Sequence, residues 1–229
     1  MKRQTSFYTE LAYACGIVVL ALGTALMERA DFGVSMVVAP AYLLHLKLSQ
    51  YLPFFTFGMA EYSLQAALLL AMCLALRRFR VSWLFSFVTA VIYGLTLDGW
   101  IALVARIPGS GFVFRAALYA LGMLACAVGV SLLFHTYVAP EVYELFVKEL
   151  AGQTGADIHH VKTVYDCASC AVGVLLSFLF FGFGRFEGVR LGTILCALVN
   201  GSLIGLCTRF FESRFTFRDG LKLRSLFAK

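Results

Sequence analysis

Six long apolar segments constrain this chain more than any other feature of its sequence. A helix needs about 20 predominantly apolar residues to cross the hydrocarbon core of a bilayer. Only 14% of the 229 residues are charged, against about 25% in soluble domains. The sequence therefore predicts an all-α polytopic membrane protein with six transmembrane helices, and it excludes a soluble enzyme. The predicted spans are Leu11 to Met27, Phe54 to Leu76, Val81 to Ala105, Phe112 to Phe134, Val161 to Phe183 and Val189 to Thr208.

Basic residues give the predicted orientation, because cytoplasmic loops carry an excess of Lys and Arg. With the N-terminus inside, thirteen of the 19 basic residues fall on the cytoplasmic side and six fall outside. We therefore expect both termini in the cytoplasm, and a net charge of +6 that serves the membrane surface rather than nucleic acid. Residues 209–229 are expected to form a basic cytoplasmic tail, with Arg214, Arg218 and Lys222 on one helical stripe against anionic lipid.

The chain also repeats itself. Residues 21–98 align with residues 127–205, and Val38-Ala39-Pro40 recurs as Val138-Ala139-Pro140. The N-terminal repeat (1–105) and the C-terminal repeat (112–208) each hold three spans, and an odd number of crossings turns the second copy upside down. Many secondary transporters are built from such inverted repeats, with a substrate site between them near the bilayer midplane. The sequence therefore predicts two inverted-topology repeats of three transmembrane helices.

Each repeat contains a short segment that starts at proline, Pro40 to Leu48 and Pro140 to Leu150. Proline is favourable at the first position of a helix, and the second segment has one apolar and one polar face. Two interpretations stay open at this point. The segments either lie on the membrane surface as amphipathic connectors, or they re-enter the membrane as gates to a transport site. His135, just before Pro140, is a candidate pH-sensitive gating residue or a solvated residue at a helix end.

Three acids lie within the predicted spans, and an ionisable group in a span marks a candidate site because its burial is costly. They are Glu61, Asp98 and Asp166. The repeat places Glu61 opposite Asp166, and it also places Tyr93 opposite Asn200. We predict that these five residues contact a substrate at the repeat interface.

Each of these residues also has a structural interpretation. The acids could lie at headgroup depth beside basic residues, as Asp166 would beside Lys162 at helical spacing. Tyr93 and Asn200 could serve helix packing, because each precedes a glycine. Cys167 and Cys170, near two histidines, have the ligand types of a soft-metal site, but we predict no metal and no cofactor. The zinc-protease and nucleophile-elbow motifs are missing, so the chain is not expected to be an enzyme.

The stretches Val138 to Glu141, His160 to Asp166 and Arg190 to Gly201 resemble the YitT/YczE-like family of bacterial integral membrane proteins. The chain ends 21 residues after its last predicted span, and it therefore looks more like the YczE branch, which lacks a soluble C-terminal domain. The resemblance implies a multi-pass protein of the bacterial inner membrane. It implies transport as the family's suspected role and leaves the substrate open.

These observations together predict a small secondary transporter or facilitator that moves a small polar or charged solute by alternating access. Two acids favour a cationic substrate or coupling to a proton, whereas the N-termini of the short helices could instead favour an anion. The charge of the substrate therefore stays open. Its partners would be the solute, the lipid bilayer and a second copy of the chain in a homodimer. The alternatives are a non-transporting membrane subunit, which binds substrate or assembles a larger complex, and a channel.

Overall fold

A computed structural model describes residues 5–156, 158–183 and 187–221. Six of its helices are long and apolar enough to cross a membrane, which confirms the prediction of a multi-pass helical protein. The elements follow in the order β1 (Thr5–Tyr8), α1 (Thr9–Ala30), α2 (Ala39–Leu48), α3 (Phe57–Leu76), α4 (Ser82–Val104), α5 (Phe112–Phe134), α6 (Val142–Thr154), α7 (Ile158–Phe181), α8 (Leu191–Arg214) and β2 (Phe215–Arg218).

Each predicted span corresponds to one long helix, and every end except the last agrees within three residues. Local signals explain several ends. Asp31 stops α1 in a left-handed conformation with φ 54°, and Thr56 starts α3 because its hydroxyl accepts a hydrogen bond from the Met59 amide. The last helix, α8, continues to Arg214, six residues beyond its predicted end.

Helices α1 and α5 form the centre of the bundle, where glycines allow a close approach of their backbones. A Cβ atom on Gly23 would meet the Cys126 amide and the Gly122 carbonyl, and one on Gly129 would meet the Leu20 backbone. Helix α4 packs against α1, and α8 packs against α5. The remaining long helices lie further out, with α3 against α4 and α7 against the short helix α2.

The short helix α6 runs beside α3, from the middle of α3 towards its C-terminal end. At the start of α6 the Val142 amide donates to Gln65 Oε1 at 3.0 Å. Further along α6, Glu149 accepts a hydrogen bond from Trp83 Nε1 at 3.2 Å. Trp83 is at the start of α4, close to the C-terminal end of α3. Gln65 lies eight residues into α3, or about 12 Å along a helix in a span of about 30 Å. The N-terminus of α6 therefore reaches the middle of the bundle, which favours the re-entrant interpretation of this segment over a surface helix.

The other short helix, α2, has the corresponding position beside α7. Its first residue, Ala39, faces Gly173, where an added Cβ would lie 3.6 Å from the Ala39 Cβ. Its last turn reaches the end of α7, where Lys47 Nζ donates to the Phe180 carbonyl at 3.3 Å. Pro40 is buried in the first turn of α2, which agrees with the prediction.

Pro140 does not start α6, and that prediction was wrong. The helix begins two residues later, at Val142, because Glu141 is extended with ψ 161°. The preceding carbonyl, of Ala139, accepts from Thr89 Oγ1 at 3.0 Å on α4. This hydrogen bond holds the chain in an extended conformation ahead of the helix.

The two ends of the described chain pair with each other as parallel strands, Thr5 with Phe215 through to Tyr8 with Arg218. The Phe7 ring lies 5.5 Å from that of Phe215. A single helical stripe through Arg214 and Arg218 was therefore a wrong prediction, because β1 offers this segment a strand partner that local periodicity cannot reveal. Lys222 and the rest of the tail lie outside the described residues, as do Arg185 and residues 1–4.

Candidate functional site

A network of buried polar side chains joins α3 to the first turn of α6. Glu61 and Gln65 are 0% exposed and Glu141 is 6% exposed. Gln65 Nε2 donates to Glu141 Oε2 at 3.0 Å and to Glu61 Oε2 at 3.4 Å. The Tyr143 hydroxyl donates to the same Glu61 oxygen at 2.9 Å. One amide group therefore bridges two buried carboxyl groups.

The backbone of α6 determines which way the bridging amide points. Gln65 Oε1 accepts the hydrogen bond from the Val142 amide at 3.0 Å, so its NH₂ group faces the two acids. Glu61 and Gln65 are four residues apart and share one face of α3. Glu141 joins them because it is the residue that precedes the first turn of α6.

One oxygen of this network has no partner. Glu61 Oε1 is buried and accepts no hydrogen bond among the described residues. A buried ionised carboxylate is expensive unless it is paired, although the partial positive charge at the N-terminus of α6 favours negative charge nearby. The site therefore combines a strong demand for a proton or a cation with a helix end that can stabilise the charged form.

Charged and aromatic groups of α7 lie next to this network. Lys162 Nζ is 3.1 Å from Asp166 Oδ1 on its own helix and 3.8 Å from Glu144 Oε1 on α6. The ring centres of Tyr143 and Tyr165 are 6.4 Å apart. The single lysine is therefore already engaged by two acids outside the Glu61 network.

The predicted partnership between Glu61 and Asp166 does not appear as a contact. Asp166 pairs with Lys162 across one helical turn, and its side chain is 21% exposed. This is the structural alternative that the spacing allowed. Of the two acids, Glu61 belongs to the buried network, and Asp166 belongs to the group of charged residues beside it on α6 and α7.

Asp98 of α4 lies beside the N-terminal end of α3, about one turn before Glu61, and it caps that helix. Its carboxylate accepts from Thr56 Oγ1 at 2.6 Å and from the Gly58 amide at 2.8 Å. A negative charge at a helix N-terminus is stabilising. These contacts give Asp98 a structural role that does not require a substrate.

Tyr93 and Asn200 are placed on different sides of the bundle. Tyr93 is 1% exposed, and its hydroxyl pairs with Thr24 Oγ1 of α1 at 2.9 Å. Asn200 lies on α8, where its Oδ1 is buried without a hydrogen-bond partner among the described residues. Within those residues no hydrogen bond joins Tyr93 to Asn200.

His135 connects the end of α5 to the C-terminal elements. Its Nδ1 lies 2.7 Å from the Ser131 carbonyl, and its ring is 4.2 Å from that of Phe217 on β2. Its Nε2 is 3.6 Å from Glu212 Oε1 of α8. As a gating candidate, His135 therefore acts on the paired chain ends rather than on the Glu61 network.

Two arginines hold the opposite end of the bundle together. Arg115 of α5 and Arg190, which precedes α8, both contact Asp31 at the end of α1, at 3.0 Å and 2.6 Å. Arg190 also pairs with Glu187 at 3.3 Å. Burial lowers the pKa of Arg190, but its hydrogen bonds to Asp31 and Glu187 outweigh this and leave the pKa raised. We call Asp31, Arg115 and Arg190 the ion-pair cluster.

Sequence reasoning missed three members of the network, namely Gln65, Glu141 and Tyr143. Glutamine four residues after an acid in an apolar span was a usable signal, because both side chains lie on one helix face. Glu141 and Tyr143 gave no comparable signal, since an amphipathic surface helix has the same pattern of residues. As for metals, the described residues hold no group of three His, Cys, Asp or Glu side chains that could bind an ion.

The fold and this network define a multi-pass membrane protein with a carboxyl site inside its helical bundle. The chain belongs to the Family of unknown function (DUF6198), which it matches over residues 7–209. Neither a search of curated proteins nor a search of solved structures finds a match to it.

Proposed function

We propose that this protein is a small secondary transporter or facilitator that moves a small polar or charged solute by alternating access. The observation that carries the proposal is the buried network of Glu61, Gln65 and Glu141 at the inner end of α6. Broken helices that end near the bilayer midplane beside charged groups are the usual place of substrate and ion sites in transporters. We assign this network to solute or coupling-ion binding.

Two inverted repeats are part of the proposal, and the packing of the helices supports them. Helix α1 packs on α4 as α5 packs on α8, and α2 packs on α7 as α6 packs on α3. Each short helix also contacts the long helix that follows it, α2 with α3 and α6 with α7. A twofold exchange of the halves would produce these pairings, whereas the packing of α3 on α4 has no counterpart of similar extent between α7 and α8 among the described residues.

We further propose a bacterial inner-membrane protein of the YczE type with both termini in the cytoplasm. The excess of Lys and Arg on that side supports the orientation. The pairing of β1 with β2 supports a common side for the two ends. On this orientation α6 opens towards the cytoplasm, and the ion-pair cluster closes the outer face.

The test is solute uptake into proteoliposomes that contain only this protein, with a panel of amines, amino acids and small organic acids. We expect saturable accumulation of at least one solute by the wild type and its loss in Glu61→Gln. Glu149→Gln is the matched control, because Glu149 lies about two turns beyond Val142 on α6 and an amide can still accept from Trp83. Flux that never saturates would indicate a channel, and no flux from the whole panel would contradict transport.

A second candidate, a membrane subunit of a larger complex, is favoured by the outer helices α7 and α8. Only 11% of an apolar 18-residue stretch of α7 and 17% of the corresponding stretch of α8 are buried, against 44% for α1. Gly201 and Gly205 of α8 face open space, and the nearby Asn200 has an unpaired oxygen. This candidate predicts that Asn200→Leu changes association with other membrane proteins and leaves solute uptake unchanged.

A further inference from the structure

We infer that Glu61 is a proton carrier: in the described conformation it holds one proton on Oε1, and it exchanges this proton with water by way of Glu141. That the proton is the coupling ion rests on the proposed transport function, whereas its presence on Glu61 does not. The inference names the ligand of the buried network and separates the roles of its two acids.

The two oxygens of Glu61 have different surroundings, and the difference locates the proton. Oε2 accepts hydrogen bonds from Tyr143 and Gln65, which suits the carbonyl oxygen of a carboxylic acid. Oε1 is buried and has no donor among the described residues. An ionised Oε1 would be a buried charge that no group solvates, whereas an O–H there carries no charge.

A metal cation does not fit between the two carboxyl groups. The Val142 amide fixes the orientation of Gln65, so the space between the two carboxyl groups faces N–H hydrogens. A cation such as Na⁺ needs oxygen atoms around it, and an amide NH₂ group repels it. A proton needs a single oxygen and no cavity, which agrees with a Glu61 side chain that is 0% exposed.

The charged groups around the two acids do not neutralise Glu61. On α6 and α7 the titratable neighbours are Tyr143, Glu144, Lys162, Tyr165 and Asp166. Those on α1, α4 and α5 are Tyr13, Tyr93 and Cys126. Lys162 is the single cation among these described groups, and it already contacts Glu144 and Asp166. Glu61 therefore has no counter-ion of its own.

Glu141 provides the connection to water. It is 6% exposed, whereas Glu61 is 0% exposed, and the two acids are linked through one amide group. A small movement of α6 away from α3 would break the bonds of Gln65 and open Glu61 to water beside Glu141. The O–H bond of Glu61 would then break, the proton would pass to water, and the carboxylate would be left facing the N-terminus of α6.

Infrared spectroscopy of the purified protein in lipid nanodiscs tests the inference directly. At neutral pH we expect the carbonyl stretching band of a protonated carboxylic acid, which disappears as the pH is raised. Glu61→Gln should abolish this band, and the control Glu149→Gln should keep it. Glu141→Gln should keep it as well, because this variant leaves the carboxyl group of Glu61 in place. Gln retains the size of Glu and an acceptor oxygen, and gel filtration of each variant checks its fold.

Three results would overturn the inference: no band in the wild type at neutral pH, a band that survives in Glu61→Gln, or a band lost in Glu141→Gln instead. Proton influx into proteoliposomes, followed with the trapped dye pyranine, provides the second measurement with the same solute panel. A band that is specific to Glu61 without any solute-driven influx would support the proton site and count against the proposed transport. Solute transport by a wild type that lacks the band would support the proposed transport and count against the proton site.

Discussion

The two short helices have corresponding positions in the bundle, yet the first turn of one meets buried polar side chains and the first turns of the other meet hydrocarbon side chains. The first turn of α6 meets Glu61 and Gln65 of α3. The first turns of α2 contribute Ala39 and Leu43 to an apolar cluster that also contains Val189. Side chains in an apolar contact lose their packing when the helices separate. The polar groups of an incompletely paired network can instead exchange their hydrogen bonds for others when a helix moves.

This contrast changes the expectation of two equal gates. Separation of α2 from α7 would expose mainly apolar surface and would break one hydrogen bond, from Lys47 to the Phe180 carbonyl. We therefore expect α6 to move more readily than α2, since the hydrogen bonds that α6 gives up can be replaced by water or solute. The predictions below therefore compare variants of the α6 region with variants elsewhere in the bundle.

The largest effect is expected for Gln65→Leu, which removes the bridging amide. Glu61, Glu141 and the Val142 amide each lose a partner, and each loss costs about 1 to 3 kcal/mol in a buried site. We expect the free energy of unfolding to fall by at least about 3 kcal/mol, measured by denaturant titration in detergent micelles. Cys170→Ala is the control, because Cys170 of α7 aligns with Gln65 in the repeat. This variant should change the free energy of unfolding little. Equal stability of Gln65→Leu and wild type would show that the network contributes nothing to folding.

A smaller loss is expected for Leu43→Ala in the apolar cluster. Leu43 is 0% exposed, and the half-buried Val174 beside it can partly close the gap. We expect a loss of about 2 to 3 kcal/mol, at the low end of the range for a buried leucine. The loss should be the same in acidic and alkaline buffer, because no titratable group takes part. A strong dependence on pH would break the contrast between the two short helices.

The close contact between α3 and α4 predicts the next effect. A Cβ atom on Gly58 would collide with the Gly94 carbonyl, whereas Gly201, at the position of α8 aligned with Gly94, has nothing near it. Gly58→Ala should therefore cost about 1 to 2 kcal/mol through forced backbone movement. Gly201→Ala should change stability by less than about 0.5 kcal/mol. A large effect of Gly201→Ala would indicate that a partner covers α8.

The smallest effect on stability is expected for Asp31→Asn in the ion-pair cluster. Asparagine tolerates the left-handed conformation of this residue, and each partly exposed ion pair contributes about 0 to 1 kcal/mol. We expect faster alkylation of Cys196, which is buried in the cluster of Met27 and Ala30 near this end. Mass spectrometry of the alkylated protein measures this for each cysteine. Unchanged labelling would mean that the ion pairs do not close the outer end.

The six spans could be predicted because a helix that crosses the lipid core needs a long run of residues without charges, and such runs are visible in the sequence. Glu61 could be predicted for the same reason, as an acid in such a run. Glu141 could not, because a helix that re-enters the membrane and one that lies on its surface share the same alternation of apolar and polar residues. Only the contact of Val142 with Gln65 distinguishes them.

Asp166 and the tail show two other limits of the sequence. Asp166 was assigned with Glu61 by alignment of the repeats, but Lys162 one turn earlier gives it a closer partner. Repeat symmetry constrains the backbone and leaves side-chain partners free to diverge. The strand at Phe215–Arg218 depends on β1 at the other end of the chain, and no local pattern reports a partner so distant.

The pairing of Thr5 with Phe215 means that β1 finds its partner only after Phe215–Arg218 has been synthesised. Closing a loop of that length carries a large entropic cost unless the helices between are already packed. While the ribosome is still making the chain, β1 has an unpaired edge, which is a template for wrong pairing. A chain stalled or truncated before Phe215 would retain that exposed edge, so the pairing of the two strands distinguishes a chain that includes β2 from one that stops before it.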